Sequence, residues 1–144
     1  MNGNSTFPER LTDLMTEKNL NTVTLGKEIG VSDETVRRWK KGQRSILLPQ
    51  FLKIADYFNC SLDYLAGRTD VYLDYTVKNP PLFYDNLRKI MQETGVSRYA
   101  LVKSLPIYDS YFTNWKQGKS PNLVTLVTLA DFFNISIDYL VGRD

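Results

Sequence analysis

A chain that carries one pattern twice is limited to folds built from two like units, and this chain does so. Displaced by 76 positions, Phe7, Leu11, Met15, Glu17, Leu25, Lys27, Trp39, Lys40 and Gly42 meet Phe83, Leu87, Met91, Glu93, Leu101, Lys103, Trp115, Lys116 and Gly118. One residue is then missing from the loop after Gly118. At a displacement of 75, Leu48, Ala55, Asp56, Phe58, Asn59, Ser61, Asp63, Tyr64, Leu65, Gly67 and Arg68 meet Leu123, Ala130, Asp131, Phe133, Asn134, Ser136, Asp138, Tyr139, Leu140, Gly142 and Arg143. So dense a match marks a duplicated domain, each copy long enough to fold alone if helical. Two domains at 1–68 and 82–144, with a linker at 69–81, are expected.

Both copies read as helices. Phe7, Leu11, Leu14 and Met15 recur at the 3.6-residue period, as do Phe83, Leu87, Ile90 and Met91. Thr6 with Glu9 makes a capping box, and Pro8 suits the first turn. A second helix runs from Asn21 to Ile29, stopped by Gly30, and Ser32 caps a third, Asp33 to Lys41, with Val36 and Trp39 inward. Pro49 or Pro121 opens a fourth helix, and NCSLDYLAG or NISIDYLVG forms a short fifth ended by glycine. Only VYLDYTV, residues 71–77, reads as extended, and it lies between the copies.

Composition removes several function classes. The chain has no His and one Cys. It therefore has no His-based triad, imidazole metal site or neutral pH switch, and a single thiol closes no internal disulfide or zinc cluster. No glycine-rich phosphate loop, metal-ligand set or nucleophile with an identifiable base is present, so neither catalysis nor a cofactor is expected. The start, MNGNSTFPERLTDL, lacks an apolar stretch after a basic beginning, and no run approaches the roughly 18 apolar residues of a membrane span. A soluble, cytoplasmic protein without a membrane partner is expected.

LGKEIGVSDETVRRWKKG, residues 25–42, followed by FLKIADYFNCSLDYLAG, residues 51–67, closely resembles the Cro/C1 repressor type of helix-turn-helix domain, the XRE family, and LADFFNISIDYLVG resembles its second half again. The resemblance implies an all-α chain of two tandem five-helix lambda-repressor-like domains joined by a short linker. It implies double-stranded DNA as partner, with each third helix in the major groove and the start of each second helix near phosphate. Carried over by position, the DNA-facing residues of the first copy are Thr22, Ser32, Asp33, Glu34, Thr35, Arg37 and Arg38. Those of the second are Arg98, Tyr108, Asp109, Ser110, Thr113 and Asn114. A bacterial or phage transcriptional regulator, acting as a repressor, is the function that the resemblance implies.

Without the resemblance, the sharpest charge feature is Arg37, Arg38, Lys40, Lys41 and Arg44, with no carboxylate among them. Such a cluster suits phosphate, because each neutralised phosphate releases condensed counterion, although a solvated helix end also favours cations. Lys116 and Lys119 offer a smaller set in the second copy. Total charge adds little: residues 1–76 carry 10 basic and 10 acidic side chains, and residues 77–144 carry 8 and 6. Asp33 and Glu34 either accept from cytosine or charge the helix start favourably, while Arg38 suits guanine. Many members of the family place an acidic residue directly after the third-helix Trp, where it can pair with an arginine of helix 1. Here Lys40 and Lys116 stand there, so Arg10 and Lys40 are expected to be free for phosphate.

The second copy departs further. Pro106 replaces Gly30 and cannot supply a positive φ, so its turn must differ. Tyr108 replaces the capping Ser32, and Tyr111 and Phe112 replace Thr35 and Val36. Phe112 and Trp115 read as core; Tyr108 and Tyr111 fit packing, protein contact or DNA contact. The diverged copy either reads a second half-site or has been reassigned. A linker of about twelve residues reaches at most ~40 Å, enough to span adjacent major grooves about 34 Å apart. Alternatively, Tyr72, Tyr75 and Tyr84 pack it between the domains. Ile46 and Leu47 look surplus in their loop and could form a homodimer or protein contact, as could Tyr108 and Tyr111. Cys60 reads as buried and inert. With the chain consumed by two domains, no small-molecule ligand is expected. The competing reading is a protein-interaction module, antirepressor or antitoxin-like, that keeps the scaffold without DNA readout.

Overall fold

A computed structural model of the protein describes residues 6–72 and 80–143. Ten helices follow one another among the described residues: α1 (Phe7–Glu17), α2 (Thr22–Ile29), α3 (Asp33–Lys40), α4 (Leu48–Phe58), α5 (Leu62–Ala66), α6 (Phe83–Thr94), α7 (Arg98–Ser104), α8 (Asp109–Lys116), α9 (Leu123–Phe133) and α10 (Ile137–Val141). They fall into two units, Met1–Val77 and Lys78–Asp144. The fold is all-α, as the sequence predicts.

Local chemistry starts and stops most of these helices. Thr6 N–H donates to Glu9 Oε1 at 3.1 Å, completing the expected capping box. Asn21, Ser32, Ser61, Ser97, Asn122 and Ser136 each accept a backbone N–H of their own first turn. Each such cap satisfies a donor that has no partner within its helix and is worth about 1 kcal/mol. Leu47, Leu82 and Tyr108 hold the same position without a side-chain bond. Asn59 and Asn134, with φ of 53° and 57°, end α4 and α9 in the left-handed region that Asn tolerates.

In the first unit Leu11, Leu25, Val36, Phe51, Ile54, Leu62 and Leu65 are fully buried, and Phe7 meets Phe51 edge-on at 5.6 Å. In the second, Leu87, Leu101, Leu126, Leu129, Ile137 and Leu140 form the core, with Phe83 edge-on to Trp115 at 5.2 Å. Burial of each large apolar side chain contributes about 1.5–3 kcal/mol, so each unit carries a core of its own. Cys60 is buried.

Four expectations need correction. Ile46 is not surplus: it is 2% exposed and belongs to the core, whereas Leu47 is 46% exposed. At a displacement of 75 its counterpart is Pro121, which is also buried. Pro121 therefore lies before α9, and Asn122 opens it. Arg10 is not free for phosphate. It is 5% exposed, its guanidinium lies 3.9 Å from the Tyr64 ring centroid, and Nη2 donates to Thr69 O and Asp70 Oδ1 at 3.2 Å each. Asp70, distant in sequence, supplies the carboxylate that Lys40 does not.

The linker, lastly, begins later than expected. Thr69 and Asp70 dock on Arg10, while Tyr72 packs edge-on against Tyr64 at 5.0 Å and donates its hydroxyl to Phe58 O. Tyr72 is thereby used within the first unit, and Tyr84 stacks on Arg88 of its own helix. Tyr75 and most of the expected extended segment lie outside the described residues.

Candidate nucleic-acid interface

The turn before α3 depends on two glycines in different ways. Gly30 has φ +87° and ends α2 in the left-handed conformation that glycine adopts without penalty. Gly26, inside α2, allows a close approach: a Cβ there would lie 2.7 Å from Val31 O. Gly26 is not among the residues expected from the sequence, where its one signal is a glycine in the middle of a helix. Lys53, equally unexpected, reaches from α4 to the end of α2, where Nζ donates to Ile29 O at 3.5 Å. α2 and α3 are thus held as a tight pair.

Ser32 Oγ accepts Thr35 N–H at 3.1 Å and lies 3.0 Å from Thr35 Oγ1, so both hydroxyls are engaged in the cap. Val36 and Trp39 are buried, and the opposite face carries the charge. Arg37 bonds to Asp33, and Arg38 Nη2 lies 2.7 Å from Glu34 Oε2. These guanidinium side chains remain 48% and 50% exposed. Lys41 and Arg44 are exposed just beyond the helix, and Lys40 and Thr22 are half-buried. The structure therefore gathers Asp33, Glu34, Arg37 and Arg38 on one outward face as two ion pairs. Exposed pairs of this kind are worth only about 0.2–1 kcal/mol, so a phosphate or guanine can replace the carboxylate partner cheaply.

The second unit builds its turn without a left-handed residue. Leu105 precedes Pro106 and is extended, φ −121° and ψ 156°, as a residue before proline prefers. α7 stops at Ser104, and Ile107, 4% exposed, packs beneath the turn with its N–H on Leu105 O at 2.8 Å. Val102 stands where Gly26 does, which forbids the tight approach seen in the first unit. Arg98 does not point away as a dedicated phosphate ligand. Its Nε and Nη2 donate to Asp109 Oδ1 and O at 2.7 and 2.8 Å, and the guanidinium lies 4.9 Å from the Phe112 ring centroid.

On α8, Phe112 and Trp115 are core, as expected. Tyr111 is half-buried and continues the ring stack from Trp115 at 5.9 Å to Tyr108 at 5.6 Å. Tyr108 itself is 70% exposed. Ser110 and Thr113 are exposed, Asn114 is half-buried, and Lys116 and Lys119 are exposed beyond them.

Family models match both units. Residues 11–65 match the helix-turn-helix model, and residues 86–143 match the Cro/C1-type HTH DNA-binding domain. The chain belongs to the Cro/C1-type helix-turn-helix family. Comparison with curated proteins and with solved structures returns no match. Helix-turn-helix domains of this type bind DNA, and α3 and α8 are the third helices of their units. No described helix is long and apolar enough to cross a membrane, and no group of acidic or Cys side chains among the described residues is arranged to hold a metal.

Proposed function

We propose that the chain is a sequence-specific regulator of transcription that binds double-stranded DNA mainly through α3. One observation carries this reading. Two arginines stand exposed on the outer face of a capped helix, with Lys41 and Arg44 exposed at its end. Inserted in a major groove, Arg38 faces base edges and would take guanine O6 and N7 at about 1–3 kcal/mol of discrimination. Lys40, Lys41 and Arg44 neutralise phosphates, with Thr22 at the start of α2 adding a neutral contact. Asp33 and Glu34, released from their arginines, stay favourably placed at the positive end of the helix dipole. Repression by occupying promoter DNA, a cytoplasmic setting in a bacterium or phage-infected cell, and the absence of catalysis and of a small-molecule ligand belong to the same proposal.

Fluorescence anisotropy of the full chain on mixed-sequence duplex, between about 50 and 200 mM salt, tests it. Binding is expected to weaken steeply with salt, and Arg37→Ala with Arg38→Ala is expected to lose most of it. No binding at low salt, or equal binding by the double variant, overturns the reading. Tyr99 and Tyr108, 72% and 70% exposed, favour a second reading in which the second unit contacts protein. There, Tyr108→Ala would abolish regulation while DNA affinity stayed unchanged.

A further inference from the structure

The outer faces of α3 and α8 differ in kind. α3 presents Asp33, Glu34, Arg37 and Arg38, all charged and paired within the helix. With Phe112 and Trp115 turned inward, Ser110, Thr113 and Asn114 share the outer face of α8 at helical spacing. α8 itself carries no cation before Lys116, and its one carboxylate, Asp109, is paired with the half-exposed Arg98 of α7 at 2.7 Å, so the cation nearest the face is already neutralised. What remains is a carboxamide, two hydroxyls and a threonine methyl. The exposed ring of Tyr108 adds apolar surface at the start of the same helix.

These groups suit different bases. A guanidinium only donates and matches the two acceptors that guanine offers in the major groove. A carboxamide both donates and accepts, which is what adenine N7 and N6 require, and threonine's methyl meets the thymine methyl. A cation-poor face also gains little from phosphate, so its contribution is discrimination more than affinity.

Resting on the reading that the chain binds duplex DNA, we propose that its operator is a composite of two unlike elements: one containing guanine, read by α3, and one rich in A·T, read by Asn114, Thr113 and Ser110 of α8. The site then has no two-fold symmetry, because the two readers of one chain are chemically unlike. Lys116 and Lys119 hold the second unit to the backbone, and the first unit provides most of the affinity.

The test is selection of duplexes from a random pool by the full chain, followed by anisotropy on the selected duplex and on one whose A·T element is replaced by G·C. Two unlike elements are expected. Asn114→Ala is expected to weaken the selected duplex about fivefold or more and to leave the replaced duplex unchanged, a selectivity that a folding defect would not produce. Asn114→Asp, an acceptor only, is expected to shift the preference at that base pair toward cytosine. A site with a single guanine element, an inverted repeat of one element, or equal weakening of both duplexes by Asn114→Ala overturns the proposal while DNA binding stands. A chain that selects nothing and binds no duplex at low salt overturns the DNA-binding reading as well.

Discussion

Arg10 and Asn86 stand at the same place in the repeat, and both reach toward the end of the fifth helix of their unit. Arg10 does so through Thr69 O, Asp70 and the Tyr64 ring; Asn86 Nδ2 donates to Tyr139 O and Leu140 O at 3.0 and 2.8 Å. The role is shared although the residues are not, and no local pattern exposes it, because the partners lie more than fifty positions away. Ser32 and Gly30, by contrast, are legible in the sequence, since caps and helix stops are chemistry within a few residues. Burial separates another matched pair. Arg143 and Asp138 meet at 2.9 Å and are almost fully buried, while Arg68 and Asp63 meet at 2.7 Å and are one-fifth exposed. Asp138→Ala takes the carboxylate from a buried guanidinium and is expected to cost about 3–5 kcal/mol in urea unfolding. Asp63→Ala, whose arginine keeps some water, is expected to cost about 1.5–3 kcal/mol.

At the scale of the element, the two turns show how one scaffold accepts two solutions. α2 and α3 close on each other because Gly26 has no side chain to meet Val31 O. Gly26→Ala would force that contact apart, with an expected loss of about 1–3 kcal/mol in thermal unfolding and a weaker, displaced α3 in DNA titrations. In the second unit the equivalent Val102 and Pro106 rule that geometry out, and Ile107, in the place of the half-buried Val31, is buried. The difference in turn is readable from Pro106. The deeper burial of Ile107 than of Val31 is not, because a single apolar side chain in a loop has no periodicity to mark it. α8 also begins without a cap bond. Tyr108→Ser is therefore expected to stabilise the full chain by about 1 kcal/mol in thermal unfolding.

For the whole molecule, duplication makes the architecture legible in the sequence: two helical units, with five helices each among the described residues and matching cores. The limits of the linker are not legible there, because they are set by packing of Arg10, Tyr64 and Tyr72 rather than by composition. Arg10→Gln is expected to leave the core intact and to speed amide exchange at Val71, which hydrogen-deuterium exchange with mass spectrometry would detect.

Tyr72 is anchored to the first unit, and Pro81 packs beside Gly142 of the second. Only nine chain steps separate these anchors, so the connection reaches about 30 Å at full stretch, less than the whole linker would allow. If the two units grip DNA as proposed, one strongly and one weakly, a short leash would govern time as well as place. A weak unit that let go would be held at high local concentration over the same stretch of duplex and would regrip before the strong unit released. Dissociation is then stepwise, and free DNA that captures the loosened unit hastens it. The residence time of such a regulator falls as the surrounding DNA becomes more crowded, a property that no equilibrium affinity records.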